Sequence, residues 1–402
     1  MTTTPNEGRK IQSIRDLDLA GRRLFLRVDF NVPLENGEVT DATRIKEAMP
    51  TIEHALNQGA FVVLASHLGR PKGKKKQEYS MEPVAARVAE MFDCEVLLAD
   101  DCVGDAARKV IADLREGQIA MLENLRFHPG EESDDESFAR EMAKPVDLYV
   151  NDAFGAAHRA HASVHALPLL MKEKAMGLLM ERELTALAKL RDQPEPPYVA
   201  ALGGAKVSDK ISVIEKLLES VHTLLIGGAM ANTFLAAKGI SVGKSRVEND
   251  KLALARSLLE RADLRNVQVF LPEDVVVADH IDAAAGQVVK SSEIPDQAMA
   301  LDIGPETVKT FREKILRANT VFWNGPMGLC EKPAFAKGTI GIGEALRDCR
   351  GYSVVGGGDS VAAINAAGLE EAFDHVSTGG GASLEFIEGR QLPGIQALAS
   401  IK

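Results

Sequence analysis

The sequence predicts an α/β protein whose parallel sheets form two successive halves, and three observations predict it. Short apolar runs alternate with helix-like stretches of ten or more residues from end to end. The runs are continuously apolar, as strands covered on both faces are. A proline-rich break at Gln193–Pro197 divides the series, a segment that neither a helix nor a central strand tolerates.

In the first half the strand-like runs are Arg23–Phe30, Phe61–Ala65, Ile119–Leu122 and Asp147–Val150. The second half repeats the rhythm at Tyr198–Leu202, Thr223–Ile226, Val267–Phe270, Thr320–Trp323 and Tyr352–Val355. A helical pattern at Glu181–Leu190 precedes the break, so the expected division is a domain over 1–180, a helix and linker over 181–197 and a second domain from 198. Two α/β halves joined in this way suit hinge closure over a cleft.

A chain of 402 residues is long enough for two cores. Its 58 acidic against 47 basic residues give a formal charge of −11, which argues against a nucleic-acid binder and requires any anionic ligand to be held by a local basic patch. Cys94, Cys102, Cys330 and Cys349 are scattered without a CxxC pair, so a disulfide framework is not expected and a reducing cytoplasm is. Met1–Lys10 is polar, without the apolar core of a signal peptide, and no later run approaches the length of a membrane span. The charge runs Lys72–Lys76 and Glu131–Glu136 read as solvated surface.

Two motifs tempt and fail. Gly239–Ser245 has three residues between its glycines where a Walker A loop needs four. His158, His161 and His165 have helical spacing, but no neighbouring Cys or carboxylate completes a metal set and Arg159 would repel a cation, so structural or anion-contacting roles are expected. No G-x-G-x-x-G follows the first strand, which disfavours a nicotinamide-dependent oxidoreductase.

The informative residues follow the strands. Asp29 and Asn31 end the first, His67 and Arg70 follow the second, Arg126 and Arg159 follow the next two, and Arg44 opens the first helical stretch. In a parallel sheet these loops share one edge, so Arg44, His67, Arg70, Arg126 and Arg159 form a basic set fitted to phosphate or carboxylate. In the second half Gly203, Gly204, Lys206 and Lys210 follow a strand and open a helix, with the two lysines one turn apart. Gly227-Gly228, Asn324-Gly325-Pro326 and Gly356-Gly357-Gly358-Asp359-Ser360 repeat the strand, glycine, helix design. Together they describe a nucleotide-phosphate cradle in which Asp359 is the carboxylate offered to Mg²⁺, with a helix N-cap as its alternative use. The residues alone therefore describe a two-substrate phosphoryl transferase without a Walker A loop.

The motifs Leu26–Pro33, His67–Pro71, Asn124–Phe127, Ala157–His161, Gly203–Lys210, Trp323–Pro326, Gly356–Asp359 and Ser377–Glu385 resemble, in order, those of the phosphoglycerate kinase family. That resemblance implies two Rossmann-like domains facing a hinged cleft, the nucleotide domain ending near 387 and a tail over 388–402 returning to the first domain. It implies reversible transfer of the acyl phosphate of 1,3-bisphosphoglycerate to MgADP by a monomeric enzyme. Asp29, Asn31, Arg44, His67, Arg70, Arg126 and Arg159 would form the 3-phosphoglycerate site. Gly204, Lys206, Lys210, Asn324, Glu331, Gly357, Gly358, Asp359 and Ser360 would form the nucleotide side, Glu331 near the ribose, with Arg44, Lys210 and Gly358 catalytic. Two departures stand out: Ser360 where Thr is common, and Ala229 where many relatives carry Gly, which is expected to narrow the adenine side.

Overall fold

The computed structural model describes residues 11–369 and 372–399. The polar start read above at Met1–Lys10 and the last three residues of the expected tail lie outside the described residues. Chain contacts divide the protein between Thr185 and Ala186 and again between Arg390 and Gln391, giving two compact units. The first division falls inside the helix Leu178–Asp192.

The first unit is built on a six-stranded parallel sheet. Its strands are β1 (Arg23–Arg27), β2 (Phe61–Ala65), β3 (Val96–Leu98), β4 (Ile119–Met121), β5 (Leu148–Asn151) and β6 (Lys174–Met176), in the spatial order β3-β4-β2-β1-β5-β6. β1 pairs with β2 on one side, Leu26 opposite Leu64, and with β5 on the other, Leu26 opposite Val150. The order therefore reverses between β1 and β5, where an open α/β sheet offers a crevice at its carboxyl edge. Leu24, Leu26, Val62, Leu64, Ile119 and Val150 are fully buried with Ile45, Ile52 and Val88 of the covering helices, which explains the unbroken apolar runs. The tail segment 391–399 belongs to this unit, with the Gly394 amide donating to the Ala157 carbonyl at 2.9 Å.

The second unit repeats the plan with β7 (Tyr198–Leu202), β8 (Thr223–Ile226), β9 (Gln268–Phe270), β10 (Asp274–Ala278), β11 (Gln287–Lys290), β12 (Met299–Ile303), β13 (Thr320–Asn324), β14 (Tyr352–Gly356) and β15 (His375–Val376). The parallel sheet runs β9-β8-β7-β13-β14-β15, and its order reverses between β7 and β13. β10 pairs antiparallel with β11 and β12 in a separate three-stranded sheet that the sequence pattern did not predict.

Three local expectations are corrected. Glu131, read as solvated surface, is fully buried and accepts hydrogen bonds from the Ser163 amide and hydroxyl at 2.9 and 2.6 Å. His158, His161 and His165 lie in turns before the short helix Ala166–Leu170, so they share no helix face; His165 Nδ1 pairs with Asp134 at 2.7 Å. The helix after β7 begins only at Ile211, which leaves Lys206 in a loop rather than one helical turn from Lys210.

Candidate active site

In the first unit the candidate residues sit in the loops after β1, β2, β4 and β5, the edge that a parallel sheet assigns to ligand, except Arg44, which lies in the first turn of the helix Thr43–Asn57. The centre of the group is a residue the sequence reading passed over. Arg27, the last residue of β1, is wholly buried. Its Nε donates to Ser163 Oγ at 2.8 Å, its Nη2 meets His67 Nδ1 at 3.2 Å and Glu131 Oε1 at 3.9 Å, and a further N–H bonds the Val28 carbonyl. Since a guanidinium only donates, His67 Nδ1 is the acceptor in that contact.

This changes the role of His67. Burial, with Arg27, Arg126 and Arg159 adding to it, holds its imidazole well below the usual histidine range against the pull of Asp29. The ring is neutral at physiological pH, so it belongs to the expected site as a polar wall and not as one of its cations. Burial and the same three arginines push His161 down to about 3.

Asp29 faces this field. Burial opposes its ionisation, but Arg44, whose Nη1 lies 2.5 Å from Asp29 Oδ2, leads the charges that outweigh it and bring the carboxyl to about 2. Asn31 Oδ1 accepts the Gly69 amide at 2.8 Å, and Arg126 Nη1 donates to the Gly69 carbonyl at 2.7 Å, so the first, second and fourth loops are tied together. Asn124 completes the tie: its Oδ1 accepts from the Leu68 and Arg126 amides, and its Nδ2 donates to the Leu68 and Tyr79 carbonyls.

Arg126 is buried, and among the described residues its Nε has no hydrogen-bond partner; Glu132 at 3.4 Å supplies ion-pair distance only. Burial and then Arg159 lower its pKa. Arg159 is half-buried and Arg70, next to Gly69, is exposed. A buried guanidinium with an open donor and a like charge beside it is a site short of negative charge.

In the second unit the loops after β7 and β13 meet at the strand-order reversal. The Gly203 amide donates to the Asn324 carbonyl at 3.0 Å and the Gly204 amide to the Pro326 carbonyl at 2.8 Å. The approach leaves no room for a side chain: Gly325 has φ +94°, and a Cβ there would lie 2.3 Å from the Gly203 carbonyl oxygen. Trp323 Nε1 donates to the Gly325 carbonyl at 2.9 Å, and Ser360 Oγ accepts the Gly325 amide at 2.7 Å. Ser360 is fully buried, so it holds the loop in place.

A cleft of about 330 Å³ opens beside these loops, lined among others by Gly204, Lys206, Lys210, Asn324, Gly358 and Asp359. Lys210 is buried and hydrogen-bonded to Asn324 Oδ1. Burial pulls its ammonium down to about 8, against Asp209 and Asp359, which favour the charge. Asn324 Nδ2 is buried without a hydrogen-bond partner among the described residues. The helix Gly358–Ala366 starts at the cleft with Gly357 as N-cap at φ +95°, which corrects the alternative reading of Asp359 as the cap; Asp359 is exposed in the first turn. Gly380, Gly381 and Leu384 also line the cleft; they fall within the Ser377–Glu385 motif, to which the sequence reading gave no site role.

A second cleft of about 450 Å³ shares Asp359 with the first and is walled by Pro333, Ile340, Ala362, Ala363 and Ala366, with Glu331 at its lining. An apolar slot with a carboxylate continues into a cationic, glycine-lined one, which is the pattern of a base and sugar followed by phosphates. Ala229 lines neither cleft, so the expected narrowing has no support there.

A model of the phosphoglycerate kinase family matches residues 14–390. The chain belongs to the phosphoglycerate kinase family. It is 56% identical to the phosphoglycerate kinase of Anaeromyxobacter sp. (strain Fw109-5), over 96% of this chain and 99% of that protein. It is 49% identical to that of Bdellovibrio bacteriovorus, over 96% and 97%. Among solved structures, phosphoglycerate kinase from Coxiella burnetii superposes with a TM-score of 0.86 at 39% identity, covering 97% of this chain and 99% of that one. The Pyrococcus horikoshii enzyme gives 0.83 at 33% identity, covering 96% and 98%. The chain is thus a kinase of the phosphoglycerate kinase family, acting in glycolysis.

The Asp29 carboxylate yields a stability prediction. Its folded pKa of about 2 lies below the ordinary value, so its contribution is complete above about pH 4 and fades as pH falls through about 2. Asp29→Asn is expected to cost about 2 kcal/mol at pH 7 and roughly half that at pH 3. Urea denaturation of both proteins at the two pH values checks this, and a gap that widens in acid would show that the charge of Asp29 is not what stabilises the loops.

Proposed function

We propose that the chain catalyses reversible phosphoryl transfer from 1,3-bisphosphoglycerate to MgADP, giving 3-phosphoglycerate and MgATP. The observation that carries this reading is that each unit keeps an under-neutralised, desolvated cation at its sheet edge, Arg126 in one and Lys210 in the other. Asp29, Asn31, Arg44, His67, Arg70, Arg126 and Arg159 receive the phosphoglycerate. The arginines supply charge and bidentate donors, and neutral His67 contributes hydrogen bonding. Asp29 orients Arg44 through their 2.5 Å ion pair.

On the nucleotide side the apolar slot takes the base, Glu331 faces the sugar, and Gly204, Lys206, Lys210, Asn324, Gly357 and Gly358 surround the phosphates. Exposed Asp359, at the junction of the two clefts, fits a hard Mg²⁺ ion that keeps waters and takes one or two carboxylates plus phosphate oxygens. Bound there with the nucleotide, Mg²⁺ would neutralise charge on the phosphate oxygens. No general base is needed, because the accepting oxygen belongs to a carboxylate or phosphate already ionised at neutral pH. Arg44, Lys210 and the amide of Gly358 serve the migrating group by holding charge in place, the main source of acceleration in phosphoryl transfer.

Donor and acceptor sites lie on separate units, so we propose that closure about the segment 181–197 brings the reacting oxygens into line and excludes the water that would hydrolyse the acyl phosphate. The chain works as a monomer in the cytoplasm; its four free cysteines accord with a reducing setting, and among the described residues no helix is long and apolar enough to cross a membrane.

A coupled assay tests the reading: with ATP, Mg²⁺ and 3-phosphoglycerate, excess glyceraldehyde-3-phosphate dehydrogenase should oxidise NADH, and a chelator should stop it. No signal from folded protein would sink the assignment. Lys210→Ala should lower kcat by about 10²-fold or more with a smaller change in KM. Because the charged amine is the working form, wild-type kcat/KM should fall as pH rises through about 8, a limb that Lys210→Arg should lack. A raised KM at unchanged kcat would remove Lys210 from the transition state. Arg159→Ala should weaken 3-phosphoglycerate binding and leave ADP binding intact by calorimetry; equal loss of both would mean a folding defect.

A further inference from the structure

A side-chain cluster in the first unit lies outside the machinery above. β3 and β4 are neighbouring parallel strands, with Leu98 opposite Met121, so the segments that leave their carboxyl ends run side by side. The first carries Asp101 and Cys102, and the second, beyond Arg126, carries His128. One ligating atom from each, the carboxylate oxygen, the thiol sulfur and an imidazole nitrogen, lie within 4.8 Å of one another.

We propose that Asp101, Cys102 and His128 form a binding site for a zinc-type divalent cation. The donor set is oxygen, sulfur and nitrogen, which suits borderline-soft Zn²⁺ and not Mg²⁺ or Ca²⁺. Three protein ligands leave the fourth tetrahedral position to water.

The cluster is arranged for entry from solvent. The side chains of His128 and Asp101 are 32% and 46% exposed, while Cys102 is buried beneath them. The His128 ring is oriented by stacking on Phe138, centroids 5.0 Å apart, and its Nε2 lies 2.6 Å from Asp101 Oδ1. The cation would take the place of the proton those two atoms share. A carboxylate, a thiol and an imidazole thus offer a cation three different donor atoms at one point of the surface.

Binding is a proton-for-metal exchange without redox change. The S–H bond of Cys102 breaks, its proton passes to buffer, and the sulfur forms a bond to the metal together with the neutral imidazole and the ionised carboxylate. The ion would cross-link the loop after β3 to the segment that follows Arg126.

Cobalt(II) is the probe, because its thiolate complexes absorb visibly where zinc is silent. Full-length protein, reduced and freed of metal, is titrated with Co²⁺ in the presence of millimolar Mg²⁺. The expected result is a sulfur-to-cobalt charge-transfer band that saturates at one ion per chain and is abolished by Zn²⁺. Cys102→Ser should remove the band, and His128→Gln should weaken binding by more than about tenfold. His128→Gln alters a partly exposed position, so it carries the test if Cys102→Ser fails to fold. Absence of the band in the wild type, or a band unchanged by His128→Gln because it arises at Cys94, Cys330 or Cys349, overturns the proposal.

Discussion

Positive charge held out of water is the constraint around which both units are arranged. Arg27 and Arg126 in one, and Lys210 in the other, are buried cations, and an isolated buried cation is among the costliest groups a fold can contain. Arg27 is compensated by Glu131, Ser163, His67 and a backbone carbonyl. Arg126 and Lys210 are compensated less completely, and their lowered pKa values record the deficit. Such a deficit is tolerable when the missing partner is a ligand, since the anion that arrives supplies what the fold withholds.

From that constraint the neighbouring assignments follow. With three arginines around it, a protonated His67 or His161 would add to the repulsion, so both imidazoles are neutral. Asp29 is ionised far into acid because Arg44 lies against it, and it sets where that guanidinium sits. Asn124 makes four hydrogen bonds across two loops without contributing charge, which positions Arg126 while leaving its field for the ligand. In the second unit backbone does the same work: the Gly203 and Gly204 amides donate to the Asn324 and Pro326 carbonyls, and Ser360 and Trp323 hold Gly325 from either side.

The α/β class and both parallel sheets were legible because a strand covered on two faces has no choice but to be apolar, and the loops at one edge then gather their polar residues. What escaped notice has physical reasons. Arg27 lies inside a strand run, where a charged residue reads as an edge, and only the tertiary partners Ser163 and Glu131 show that it is buried. Glu131 was hidden in an acidic run, since sequence gives no sign of which carboxylate turns inward. The sheet of β10, β11 and β12 was missed because β11 is largely exposed and lacks a buried run. Lys206 was placed a helical turn from Lys210 on the strength of the glycine-to-helix pattern, yet the chain needs the turns through Asp209 before a helix can begin.

The choice of cation differs between the two units, and the difference has chemical content. Arginine is charged at every accessible pH, so the arginine loops of the first unit offer a fixed field whatever the solvent. Lysine with its pKa at about 8 is near its titration, and its charge depends on what lies beside it. A phosphate entering that cleft stabilises the ammonium, and by linkage a proton on Lys210 strengthens the hold on phosphate. Lys210, already mostly protonated at neutral pH, would keep its charge further into alkali with a phosphate beside it. Hydrogen bonding to Asn324, with the Asp209 and Asp359 carboxylates favouring the charged form, offsets part of the cost of holding that ammonium out of water.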